Sequence, residues 1–170
     1  MASAAGSVAM SGENYAITEI DAEPASPRME MTGSIAGANI TVNYGSPSVK
    51  GRTIWGDLEP YEKVWRAGAN EATRITFDKD VMVQGAHLPA GTYSFFVMPA
   101  TGPWTVIFNK QAEQWGAFNY EESQDAIRVE AMPEKDLPNQ EALAYYIDGN
   151  DLVLRWEKIA LPVAITAAEQ

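Results

Sequence analysis

Apolar side chains in this chain recur at every second position in short runs, and glycine, proline and asparagine separate the runs. Ile40, Val42 and Tyr44 alternate with Thr41 and Asn43; Ile75 and Phe77 alternate with Arg74, Thr76 and Asp78; Ile127, Val129 and Ala131 alternate with Arg128 and Glu130. A period of two puts alternate residues on opposite faces of a strand. Nowhere does helical spacing persist for the roughly ten positions a packed amphipathic helix needs. Residues 29–35 and 38–44 flank Ala36-Gly37 and read as a hairpin, as do residues 142–148 and 152–157 around Gly149-Asn150, a pair suited to the positive φ angles of a tight turn. Residues 91–98 are apolar on both faces, which predicts a central strand; residues 104–109 predict another, and 81–83 a short one before the turn-rich GAHLPAG. Residues 111–115 suit a brief helical turn. Residues 159–165 continue the alternation, but Pro162 lacks a donor and predicts an edge or a bulge. The sum is roughly eight to ten short strands, an all-β, antiparallel β-sandwich of jelly-roll-like type.

At 170 residues the chain has the size of one domain. Residues 1–27 read as a flexible tail followed by an extended lead-in ending in AEPASP, and 28–170 as the sandwich. MASAAGSVAM has no positive region and no long apolar stretch, so it is not an intact signal peptide. Twelve basic against twenty-three acidic residues leave a net charge of −11, which repels phosphate backbones and makes nucleic acid a poor partner. No apolar run approaches the ~20 residues of a membrane-spanning helix, and the mature chain is expected not to span a membrane. With no cysteine, disulfides, thiolate nucleophiles and thiolate zinc sites are excluded; with His87 alone, so is a histidine-rich metal site. No metal site and no cofactor are implied, and oligomeric state is not legible.

Between the predicted strands lies GRTIWGDLEPYEKVWRAGANEAT, residues 51–73, which follows neither period yet holds two tryptophans and two interior arginines. It is predicted as an insert, irregular or briefly helical. A loop this rich in large and charged side chains has a fixed tertiary role, so a site should touch it.

NYGSPSVKGRTIWGDLEPYEKVWRAGANEAT, LPAGTYSFFVMP and WTVIFNKQAEQWGAFNY together closely resemble the bacterial domain of unknown function 2911 family, from Pro27 to Ile165. The pattern is carried by Arg52, Trp55, Gly56, Pro60, Tyr61, Trp65 and Arg66, by the run from Gly68 to Thr73, by Leu88 to Tyr93, and by Trp104, Asn109, Trp115 and Gly116. The resemblance implies a shared β-sandwich and a periplasmic or secreted setting, since relatives often carry a signal or lipoprotein leader. It assigns no catalytic residue.

Arg66, Asn70 and Glu71 are the best polar candidates: a guanidinium, an amide and a carboxylate within six positions can converge on one small ligand. The plainer reading pairs Arg66 with Glu71 as a brace pinning the insert to the sheet. Arg52 joins the candidate binding residues. Trp55, Tyr61, Trp65, Trp104 and Trp115 can form an aromatic platform, or simply fill the end of the sandwich. His87 reads as a surface turn residue, Asp148, Asn150 and Asp151 as hairpin chemistry rather than a calcium site, and Glu121, Glu122 and Asp125 as a solvated loop. Three functions remain open: a non-catalytic module binding a small molecule or an envelope component, a metal-independent hydrolase or isomerase using Glu71 and Arg66, or a structural interaction module.

Overall fold

The computed structural model describes residues 7–11, 15–114 and 120–168; Trp115 and Gly116 therefore lie outside the described residues. Among the described residues thirteen strands occur, in the order β1 (Ser7–Ser11), β2 (Tyr15–Asp21), β3 (Arg28–Ile35), β4 (Ala38–Gly45), β5 (Thr73–Phe77), β6 (Val81–Val83), β7 (Ala86–Leu88), β8 (Gly91–Met98), β9 (Trp104–Asn109), β10 (Asp125–Ala131), β11 (Gln140–Asp148), β12 (Asp151–Glu157) and β13 (Ile159–Ala167). An eight-stranded sheet, β1-β2-β3-β4-β5-β8-β9-β10, faces a five-stranded sheet, β11-β12-β13-β6-β7, and every pairing is antiparallel. The fold is an all-β sandwich. Among the described residues the only helical piece is a 3-10 turn at Glu122–Gln124, and no helix is long and apolar enough to cross a membrane.

The strand count exceeds the predicted eight to ten for two reasons. The first is the N-terminal segment, where Tyr15–Asp21, expected as a lead-in, pairs along β3 and sends Ile17 into the core, while β1 pairs with β2. The second is GAHLPAG, read as turn, which contains β7. Gln84 and Gly85 both adopt positive φ, 50° and 85°, so Val81–Val83 folds straight back on Ala86–Leu88 through two residues. Ala36 and Gly37, at 52° and 85°, make the same kind of connection between β3 and β4. No helical turn forms at residues 111–114.

The core lies between the sheets. Ile40, Val42 and Tyr44 of β4, Ile75 and Phe77 of β5, and Phe95 and Val97 of β8 face Leu143, Tyr145, Leu152, Leu154, Leu161 and Val163 of the second sheet. β8 lies between β5 and β9, and its outer face buries Phe96 against Ile107 and Ala72 in a small second cluster, the physical reason both its faces are apolar. β13 is not an edge strand as a whole: it lies between β12 and β6. Pro162 is opposite Val153 of β12, while β6 reaches only Ile165, Thr166 and Ala167. The missing donor thus falls where β13 has no second strand beside it, and no bulge is needed.

Residues 46–72 leave the sheet after β4 and return at β5, its direct neighbour, so the insert is a loop closed at one end of the sandwich. It is fixed to both sheets. Trp65 exchanges backbone hydrogen bonds with Val97 of β8, at 2.8 and 3.0 Å, and Ser48 bridges to Ala142 of β11.

Candidate functional site

Four tryptophans close that end of the core. The Trp55 ring lies 5.6 Å from Trp65, 5.0 Å from Trp104 of β9 and 5.8 Å from Trp156 of β12, and Trp65 stacks on Trp156 at 5.8 Å and 21°. Trp65, Trp104 and Trp156 are buried; Trp55 alone keeps part of its surface exposed. Most of the supposed platform is therefore a plug joining the sheets, and Trp156, unnoticed in the alternation of β12, belongs to it. Tyr61 is 40% exposed and shares a hollow with Trp55.

Residues 66–71 run beside this plug in a conformation that their types do not advertise. Ala67 and Asn70 adopt φ of 57° and 64°, a region unfavourable for alanine. The turn is held by the Ala67 carbonyl, which accepts from the Tyr145 hydroxyl at 2.6 Å and from the Thr73 hydroxyl at 3.0 Å. Glycines permit the close approach: a Cβ on Gly45 would lie 2.2 Å from the Ala69 oxygen, and one on Gly68 would lie 2.8 Å from the Thr73 hydroxyl.

The expected brace between Arg66 and Glu71 is not formed; among the described residues no ion pair joins them. The two left-handed residues between them turn the side chains toward different hollows. The brace is Arg28 instead. Its Nε donates to Asn43 Oδ1 at 2.7 Å, Nη1 to the carbonyls of Glu71 and Ala69 at 3.0 and 3.4 Å, and Nη2 to those of Asn43 and Ala72 at 3.2 and 3.3 Å. Burial lowers the Arg28 pKa, and the Glu71 charge works in the opposite direction. Sequence reasoning missed Arg28 because it lay at the presumed domain boundary. An arginine opening a strand beside the glycine-containing insert was the available signal.

Arg66 is left free. Its Nε is buried without a hydrogen-bond partner, and its side chain lines a cavity of about 230 Å³ together with Arg52, Glu59, Asn70, Gly68 and Trp156. Arg52 is anchored, Nε to the Val49 carbonyl at 3.0 Å and Nη2 to the Ser48 carbonyl at 2.6 Å. Asn70 donates to the Ser26 carbonyl at 3.3 Å. Burial pushes the Glu59 pKa up to about 7, against the pull of Arg66 and Arg52. Glu59 was missed because DLEPYE reads as a solvated turn; only the fold brings it beside two guanidinium groups. Chemically, the cavity offers an unengaged planar donor, a second positive charge and a carboxyl that takes up or releases a proton near neutrality.

The other predicted residues are dispersed. Glu71 is exposed and lines a larger hollow of about 450 Å³ with Asp21, Arg28, Asn43 and Arg74; Asn70 forms part of both walls. His87 is exposed on β7, 3.4 Å from Asp80. Asp148 and Asp151 face each other across the β11–β12 turn, where Gly149 has φ 62°. Asp125 accepts from Asn109, Tyr120 and Arg128. Among the described residues no group of three acidic, histidine or cysteine side chains could hold a metal ion. Neither a curated protein nor a solved structure matches the chain. One family does, over residues 26–165, and the chain belongs to it: the family described as protein of unknown function (DUF2911).

Proposed function

We propose that this protein is a non-catalytic binding module that takes a small carboxylate-bearing molecule into the cavity around Arg66. The carrying observation is the Arg66 guanidinium, which lines the cavity and whose Nε has no hydrogen-bond partner among the described residues. A guanidinium fork lining such a cavity fits a carboxylate with two parallel bonds. Arg52 adds charge, and Glu59, protonated below about pH 7, adds a donor in place of a repelling anion. The family resemblance supports a periplasmic or secreted setting, in which the occupant is a free metabolite or part of an envelope component.

The test is thermal unfolding with acetate, succinate, citrate and inorganic phosphate, on the parent protein and on Arg66→Ala and Arg66→Lys. At least one carboxylate should raise the melting temperature of the parent, do so less for Arg66→Lys and not at all for Arg66→Ala. Equal stabilisation of all three proteins, or of none, rejects the reading.

One observation favours catalysis as a second reading: a carboxyl titrating near neutrality beside an arginine suits general acid–base work. In that case Glu59 is the acid–base group. Glu71 faces a different hollow and cannot share a substrate with Arg66 in this arrangement. A Glu59→Gln variant that binds the carboxylate normally but abolishes a turnover seen in the parent would decide for the enzyme.

A further inference from the structure

From the hollow beside Trp55 we infer a second binding site, for the pyranose ring of a neutral sugar, independent of the anion cavity. The hollow encloses about 230 Å³ between the insert, the loop after β10 and the turn joining β12 to β13. Its aromatic wall is Trp55 and Tyr61. The Trp55 indole is held in place, Nε1 donating to Glu157 Oε1 at 3.1 Å while the rest of the ring leans on the tryptophan plug. Tyr61 lies over Gly56, which has φ 88°; a Cβ there would come within 2.9 Å of the tyrosine ring. The absence of that Cβ allows the ring to lie in this position with 40% of the residue exposed. An aromatic ring so placed offers the flat apolar surface on which the C–H face of a pyranose stacks.

Opposite charges are balanced at this wall: Lys135 and Lys158 against Asp136 and Glu157. That balance argues for a neutral ligand, unlike the surplus of arginine around Arg66. It also supplies both kinds of partner that vicinal hydroxyls need, since carboxylates accept and ammonium groups donate. Glu157 Oε1 is occupied by Trp55 and by the Lys158 N–H at 2.6 Å, while Glu157 Oε2 and the Asp136 carboxylate make no hydrogen bond to a described residue. Asp136 and Glu157 both hold left-handed backbone angles, φ 61° and 58°. Such angles cost about 1–3 kcal/mol each and cluster where side chains must be aimed.

The experiment is a proton–nitrogen NMR titration of the Trp55 indole N–H with methyl glucoside, methyl galactoside and methyl mannoside. The inference expects a saturable shift with at least one of them. The shift should persist in Tyr61→Phe, disappear in Tyr61→Ala, and require about tenfold more sugar in Asp136→Asn, where asparagine tolerates the left-handed backbone and so preserves the fold. The site is overturned if none of the three glycosides moves the resonance, or if Tyr61→Ala responds like the parent. A response to acetate at this resonance that matches or exceeds the response to the sugars also overturns it, because the balanced wall should not prefer an anion. Since Arg66 takes no part in this wall, failure here leaves the carboxylate reading standing, and the converse holds as well.

Discussion

Replacing Arg28 by alanine withdraws donors from five oxygens at once, the Asn43 Oδ1 and four backbone carbonyls, on β4 and on the loop that leads into β5. Denaturant unfolding should show a loss of about 2–3 kcal/mol. Arg66→Ala, which breaks no side-chain hydrogen bond among the described residues, should cost under about 1 kcal/mol; a loss equal to that of Arg28→Ala would mean that Arg66 is structural after all. Glu59 gives a pH signature. Its folded-state pKa lies above the ordinary value, so the stabilisation it contributes is full below about pH 4.5 and is lost as pH rises through about 7. Glu59→Gln should therefore be more stable than the parent at about pH 8, by about 1–2 kcal/mol after allowance for solvent screening, and no more stable at about pH 4. Carboxylate binding should strengthen as pH falls through 7 in the parent, and the variant should lack that dependence. At this scale the sequence showed which residue types could bind an anion but not their directions. Arg66 and Glu71 are close in sequence, yet Ala67 and Asn70 adopt a backbone region that alanine seldom visits, and no local rule announces it.

Strands were legible wherever alternation and turn chemistry agreed. Gly91–Met98 and Trp104–Asn109 have the predicted ends, and the Gly149-Asn150 turn falls where its residues require. The N-terminal strand β2 was harder to see, because Tyr15, Ile17 and Ile20 do not keep a clean period and only Ile17 is buried. Ile17→Ala should destabilise by about 2–4 kcal/mol, as a core truncation does; an unchanged denaturation midpoint would detach residues 15–21 from the folded unit. The insert was legible as a functional loop but not as a plug, since which ends its tryptophans fill depends on β9 and β12, far away in sequence. Two glycines, Gly45 at the end of β4 and Gly51 in the insert, are of different kinds. Gly45→Ala forces a methyl against the Ala69 carbonyl and should cost about 3 kcal/mol, whereas Gly51→Ala meets no atom within 4 Å and should cost only about 1 kcal/mol, from its φ of 69°.

For the whole molecule, the Trp55, Trp65, Trp104 and Trp156 plug ties the sheets together at one end, and Gln84 ties them at an edge by donating to the Glu130 carbonyl and accepting from the Ala164 N–H. Neither sheet can part from the other without exposing these contacts. Tryptophan fluorescence and far-ultraviolet circular dichroism should therefore report coincident transitions on heating, and separated midpoints would show that the sheets unfold as distinct units. The sandwich class followed from periodicity alone; the partition of strands between the sheets did not, because β6 and β7 cross to the second sheet while their neighbours β5 and β8 pair in the first.

Asn70 has a further consequence for mutational mapping. It is a party wall, shared by the Arg66 cavity and by the Arg74 hollow, and its φ of 64° admits few other residues. A substitution there would disturb two compartments and the loop between them, so a lost affinity would carry no address. Glu59 and Arg66 are private to one compartment, Arg74 and Glu71 to the other, and these four are the coordinates by which an occupant is located.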